Sequence, residues 1–97
     1  MAKKRSVQHI RETVAALFQS LGMRDRYEEN LAIAFWDRVV GEQISAHTRP
    51  LKVEEGILVV KVDDNTWRSE LPFLAPEIIE KLNENVGKPA IKAIKFY

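Results

Sequence analysis

The chain has 97 residues, 45% apolar and 30% charged, with a net charge of +1 and no cysteine. One domain's length with that balance excludes global disorder, a disulfide framework and a thiolate metal site. No run approaches the roughly 18 apolar residues of a membrane-spanning helix, and Gln8, His9, Arg11 and Glu12 interrupt any secretory segment after the basic start.

Residues 1–5 read as a basic N-terminal arm and 6–97 as one folded domain. Ser6 can cap a first helix. Val7, Ile10, Val14, Leu17, Phe18 and Leu21 then recur at three- and four-residue spacing, a single apolar stripe ended by Gly22. Lys4, Gln8, Arg11 and Glu12 lie off that stripe and are expected to face water.

Asp25 and Glu28 have the spacing of a capping box and open a second helix. Tyr27, Leu31, Ala34, Phe35 and Val39 form one stripe on it, and Ile33, Trp36, Val40 and Ile44 a second. A helix apolar over so much of its circumference belongs in the middle of a fold. Gly41 either ends it or sits inside it, with a packing reason or a bend in the latter case.

The period then falls to two. Leu51 and Val53 alternate with Lys52 and Glu54, Glu55-Gly56 supplies a turn, and Leu58, Val60 and Val62 share one face of a β-branched run. This predicts a hairpin. Several residues of the polar stretch Asp63 to Thr66 can cap the next helix. That helix carries Trp67, Leu71, Leu74, Ile78, Ile79 and Leu82, is expected to bend between Phe73 and Pro76, and stops at Gly87. Residues Ala90 to Tyr97 read as a last strand, Ile94 and Phe96 alternating with Lys95 and Tyr97. The predicted class is α+β, one compact domain in the order α-α-β-β-α-β.

Catalytic chemistry is not legible. The two histidines, His9 and His47, form no metal-ligand spacing, the serines have no glycine-framed elbow, and Gly87-Lys88-Pro89 lacks the upstream glycine of a phosphate loop. The adjacent acids Glu28/Glu29, Glu54/Glu55 and Asp63/Asp64 point different ways and read as helix-start and turn polarity. No catalytic residue, cofactor, metal or small-molecule substrate is expected.

Basic residues are better placed. Lys3, Lys4, Arg5 and Arg11 precede the first acid, and Lys88, Lys92 and Lys95 lie in an acid-free C-terminal stretch. Strand alternation puts Lys52, Lys61, Lys95 and Tyr97 on the face opposite Leu51, Leu58, Val60, Ile94 and Phe96. Such a face either tracks a phosphate backbone or is an ordinary solvated surface. Trp36 and Trp67 sit on apolar stripes and read as core or half-core.

The ordered set Trp36-Asp37-Arg38-Val39-Val40-Gly41, Ile44, His47-Thr48-Arg49-Pro50, Gly56-Ile57-Leu58-Val59-Val60, Trp67, Leu71, Leu82-Asn83 and Gly87 resembles the DciA family of bacterial proteins over about residues 6 to 97. The resemblance implies a K-homology-like fold and association with the bacterial replicative DNA helicase, as its loader or operator, and with DNA. Many members add a long basic C-terminal tail, which this sequence does not include. Its glycines form no G-x-x-G, so the backbone clamp of K-homology RNA binders is missing.

The expected function is therefore a non-enzymatic, cytoplasmic DNA-replication accessory protein. It would bind the replicative helicase and, weakly and without sequence preference, DNA. The nucleic-acid candidates are Lys3, Lys4, Arg5, Arg11, Lys52 and Lys61; the partner-binding candidate is Trp67. The alternatives are a small RNA- or ribosome-associated binding protein and a protein–protein interaction module.

Overall fold

The chain folds around a three-stranded sheet in the order β1-β2-β3. This is a computed structural model; it describes the backbone of residues 2–22 and 24–97 and the side chains of residues 9–17, 19–22 and 26–97. β1 (Thr48–Glu54) and β2 (Ile57–Val62) form an antiparallel hairpin. Glu55 (φ 51°) and Gly56 (φ 81°) both adopt positive φ, the signature of a two-residue turn whose twist matches that of the strands. β3 (Ala93–Phe96) lies parallel to β2, because a long helix carries the chain back across the sheet.

Among the described residues four helices complete the domain: α1 (Ala2–Ser20), α2 (Arg24–Val40), the single turn α3 (Glu42–Ser45) and α4 (Asn65–Val86). The element order agrees with the sequence reading, α3 being a short addition after α2. Gly41 explains the break. Its φ 85° and ψ 168° lie in a region essentially closed to side-chain-bearing residues, so α2 ends there and α3 restarts at an angle.

α2 and α4 pack on one face of the sheet and against each other. Ala32, Trp36, Leu71, Ile78 and Leu82 from the helices meet Val53, Leu58, Val60 and Val62 from the strands, with Ile91 closing the core. Each fully buried aliphatic side chain is worth about 1.5–3 kcal/mol. Among the described residues no helix lies on the other face of the sheet, where Arg49, Leu51, Lys61 and Lys95 are exposed.

Side chains fix the ends of α4 and the path to β3. Asp64 caps the helix, its Oδ1 accepting from the Trp67 amide at 2.9 Å. Gly87, at φ 88°, closes it in the left-handed conformation, its amide donating to the Asn83 carbonyl at 2.8 Å. Asn83 then grips the returning chain twice. Its Nδ2 donates to the Ile91 carbonyl at 3.0 Å and its Oδ1 accepts from the Ile91 amide at 2.9 Å.

Three expectations need correction. First, α4 is one unbroken helix of 22 residues with Pro72 and Pro76 inside it, where the prolines predict a short first turn, a bend near Phe73 to Pro76 and then a longer helix. Both prolines lie on the exposed side, where water can serve the carbonyls they leave without an amide. Second, Leu51 does not share the core face with Val53. The β1–β2 register shifts between Pro50 and Lys52, a bulge that leaves Leu51 41% exposed on the uncovered face.

The third correction concerns α1, which extends through Ser6 instead of starting after it. Its apolar stripe is exposed: Ile10, Val14, Leu17 and Leu21 are all open to solvent, as Glu12 is, while Arg11, expected to face water, is half-buried and the side chains of Lys4 and Gln8 lie outside the described residues. The helix meets α2 through the neighbouring flank. There the half-buried Arg11 guanidinium lies 5.7 Å from the centroid of the Phe35 ring, and the Tyr27 hydroxyl reaches the Arg11 carbonyl at 3.4 Å.

Candidate functional site

The uncovered face of the sheet can be read as a grid, because side chains alternate along each strand and register fixes their neighbours. The first row across the three strands is Arg49, Lys61 and Tyr97. Arg49 pairs directly with Lys61, and Tyr97 is held beside Lys61 by its amide on the Val60 carbonyl (3.1 Å) and its carbonyl on the Val62 amide (2.7 Å). The second row is Lys52, Val59 and Lys95; the third is Glu54, Ile57 and Ala93. Successive rows are roughly 7 Å apart. Leu51, the bulged residue, lines the same shallow depression as Lys52, Val59, Lys95 and Tyr97.

This surface is apolar and basic over its first two rows, with Glu54 and Glu55 at the turn end. Leu51, Ile57, Val59 and Tyr97 supply the apolar floor; Arg49, Lys52, Lys61 and Lys95 stand around it. Lys52 is spoken for in part, its Nζ lying 3.0 Å from Glu54 Oε1. Both partners are exposed, so that pair is worth little. Among the described residues no ion pair engages Arg49, Lys61 or Lys95. Arg49 directly opposite Lys61 is a like-charge cross-strand contact, which opposes folding unless an anion shares the space.

The structure therefore brings Lys52 and Lys61 together with Lys95, as alternation placed them, and adds Arg49. It places Arg11 elsewhere, in the helical layer against Phe35. Lys3, Lys4 and Arg5 lie in the first turns of α1, with side chains outside the described residues. Arg49 was missed as a site residue because the bulge cannot be read from period-two alternation, which puts residues 49, 51 and 53 on one face.

Trp67 stands half-buried in the first turn of α4, its ring packed against the core. Phe73, two turns on, is 83% exposed. Sequence reading passed over Phe73 because Pro72 and Pro76 suggested a bend there. The available signal was its position off the Trp67, Leu71, Leu74, Ile78 stripe. Glu70, Glu77 and Glu80, spaced three and four residues from it or from one another, make its surroundings acidic.

Among the described residues no three His, Asp or Glu side chains come close enough to hold a metal ion. His47 pairs through Nδ1 with Asp63 Oδ1 at 3.0 Å, beside the backbone bond from the Asp63 amide to the His47 carbonyl, and so ties the open end of the hairpin. Among the described residues no helix is long and apolar enough to cross a membrane.

Comparison with known proteins gives a family. The family model described as Dna[CI] antecedent, DciA, matches residues 9–96. A UPF0232 protein of Mycobacterium tuberculosis is 26% identical over 92 residues, covering 95% of this chain and 49% of that protein. One from Rhodococcus jostii is 29% identical over 81 residues, covering 84% of this chain and 43% of its own length. One from Streptomyces avermitilis is 32% identical over 62 residues, 62% of this chain and 34% of that relative. The chain thus spans about half the length of the curated relatives it matches. With the match running through both hairpin strands, α4 and β3, the chain belongs to the DciA family.

Proposed function

We propose that this domain is a non-catalytic, cytoplasmic accessory factor of DNA replication, which docks on the replicative helicase and holds nucleic acid loosely on the open face of its sheet. Family membership supports the helicase part. One observation carries the nucleic-acid part: Arg49, Lys61 and Tyr97 stand side by side in one row, with Lys95 in the next. Cations spaced along an apolar floor attract phosphates, and a tyrosine ring at the end of the row offers a base a stacking surface. Lysines and an arginine on a broad, open sheet face meet phosphates first, so contacts go mainly to the backbone and sequence preference is low.

Lys52 and Lys61 contribute from the sheet. Lys3, Lys4, Arg5 and Arg11 contribute from the helical side as a second, diffuse source of positive charge. Trp67 is the proposed anchor for the helicase, a large half-covered aromatic at the edge of the core.

The test is a fluorescence-anisotropy titration of the purified domain with single-stranded DNA, duplex DNA and RNA of matched length, beside calorimetry against purified replicative helicase. Weak DNA binding that falls further with Lys61→Ala, together with saturable helicase binding, is the expected result. Strong preference for RNA would favour the RNA- or ribosome-associated alternative. Helicase binding with no nucleic-acid binding would leave a protein-interaction module.

A further inference from the structure

α1 presents an unusual surface. Ile10, Val14, Leu17 and Leu21 are 59%, 36%, 56% and 63% exposed. Their spacing is four, three and four residues, which places them on one straight seam of the helix. The same alternation reaches back to Val7 in the sequence. α1 uses a different flank, marked by Arg11, to rest on α2, so the seam is left over once the domain is packed. We propose that α1 pairs antiparallel with α1 of a second copy of this chain, Ile10 against the partner's Leu21 and Val14 against the partner's Leu17.

Three observations point to a second copy. An apolar seam repeating at about 3.5 residues is matched by another helix carrying the same repeat, and read in reverse this one fits itself. The margin away from α2, Thr13 and Ser20, is neutral and needs no polar partner, while Arg11 on the other margin already lies over the Phe35 ring. Thr13 donates to the His9 carbonyl at 2.9 Å and Ser20 to the Leu17 carbonyl at 2.8 Å, so both hydroxyls can lose water without losing a hydrogen bond. The charge distribution sets the direction. α1 opens with Lys3, Lys4 and Arg5 and has no acid in its first turn. A parallel pair would bring six cations together at one end. An antiparallel pair separates them and sets each cluster toward the carbonyl end of the partner helix.

The paired segments span only Ile10 to Leu21, about 18 Å of helix. That is less than a standard interface, so the dimer is expected to be weak, on the order of micromolar.

Sedimentation of the chain from about 1 μM to about 1 mM, which brackets such an affinity, is expected to show a monomer–dimer equilibrium. Leu17→Glu is expected to weaken it at least about tenfold with an unchanged far-ultraviolet circular-dichroism spectrum. The cysteine-free chain allows a second, independent measurement. Ile10→Cys and Leu21→Cys chains, mixed under oxidising conditions, are expected to give the mixed disulfide and neither homodimer. A chain that stays monomeric at the highest concentration, a Leu17→Glu protein that still dimerises, or a homodimeric Ile10→Cys disulfide would overturn the proposal. The first of these outcomes would leave the seam to a helix from another protein.

Discussion

The indole Nε1 of Trp36 donates to Thr48 Oγ1 at 2.9 Å, and that hydroxyl donates onward to the Ile44 carbonyl at 2.8 Å. One side chain thereby joins the middle of α2, the single turn α3 and the first residue of β1. Trp36 is wholly buried, so its ring also fills the space between helix and sheet. Trp36→Ala is expected to lower stability by about 3–5 kcal/mol, a large part of what a small domain has. Trp36→Phe keeps most of the volume and loses the hydrogen bond, about 1 kcal/mol. Urea unfolding of the two variants separates packing from bonding.

Asn83 holds the approach to β3 through both atoms of its amide. Asn83→Ala strands the amide and carbonyl of the buried Ile91 and should cost about 1–3 kcal/mol. Native-state hydrogen exchange offers a local reading. The Ile91 amide is expected to exchange faster in the variant, while amides in the β1–β2 hairpin away from β3 fall only in step with global stability.

Gly41 makes a different kind of prediction. A Cβ added there meets nothing within 4 Å, yet the backbone stands at φ 85°. Gly41→Ala should therefore destabilise through backbone strain alone, by about 1–3 kcal/mol. The shift in thermal midpoint should be the same at low and high salt, because no charge is involved.

The like-charge contact between Arg49 and Lys61 predicts opposite effects on folding and binding. Lys61→Ala should leave the free domain as stable as before or raise its stability by a few tenths of a kcal/mol, up to about 1. The same change should weaken single-stranded DNA binding. With about four phosphates neutralised, log affinity against log salt should have a slope of roughly −3, reduced by about 0.7 in the variant. A salt-independent affinity would remove the sheet face from consideration.

Trp67→Ala should retain the circular-dichroism spectrum, because the Asp64 cap is made to the backbone amide and survives the change. Helicase association should fall by about 1–2 kcal/mol, tenfold or so. Phe73→Ala is the companion measurement. Its ring is already in water, so stability should change by less than about 0.5 kcal/mol. Should Phe73→Ala alone weaken the helicase complex, the anchor lies two turns further along α4.

Much of this architecture was legible. Periodicity alone located α2, the hairpin and the apolar stripe of α4, since the buried residues Trp36, Leu58, Val60, Leu71, Ile78 and Leu82 all fall at the expected spacing. The failures have physical causes. The bulge at Leu51 inserts one residue, and nothing in an alternating pattern marks where that happens. The α1 stripe has the pattern of a core helix, and a pattern cannot say whether the apolar surface is covered by its own domain. Pro72 and Pro76 argued for a bend, yet tertiary packing of Leu71, Leu74 and Ile78 carries the helix through them. The basic grid was half seen. Lys52, Lys61, Lys95 and Tyr97 were readable from alternation, while Arg49 needed the register.

The same bulge has a consequence for growth of the sheet. β1 is an outer strand, and a flat outer strand is a template on which other chains can add. Here Pro50 removes one amide from that margin, and the irregularity immediately after it puts the neighbouring hydrogen-bonding groups out of step. A foreign strand arriving at β1 finds no long, evenly spaced ladder to copy. A domain with an uncovered apolar floor of Leu51, Ile57, Val59 and Tyr97 is thus guarded against fibrillar addition along β1.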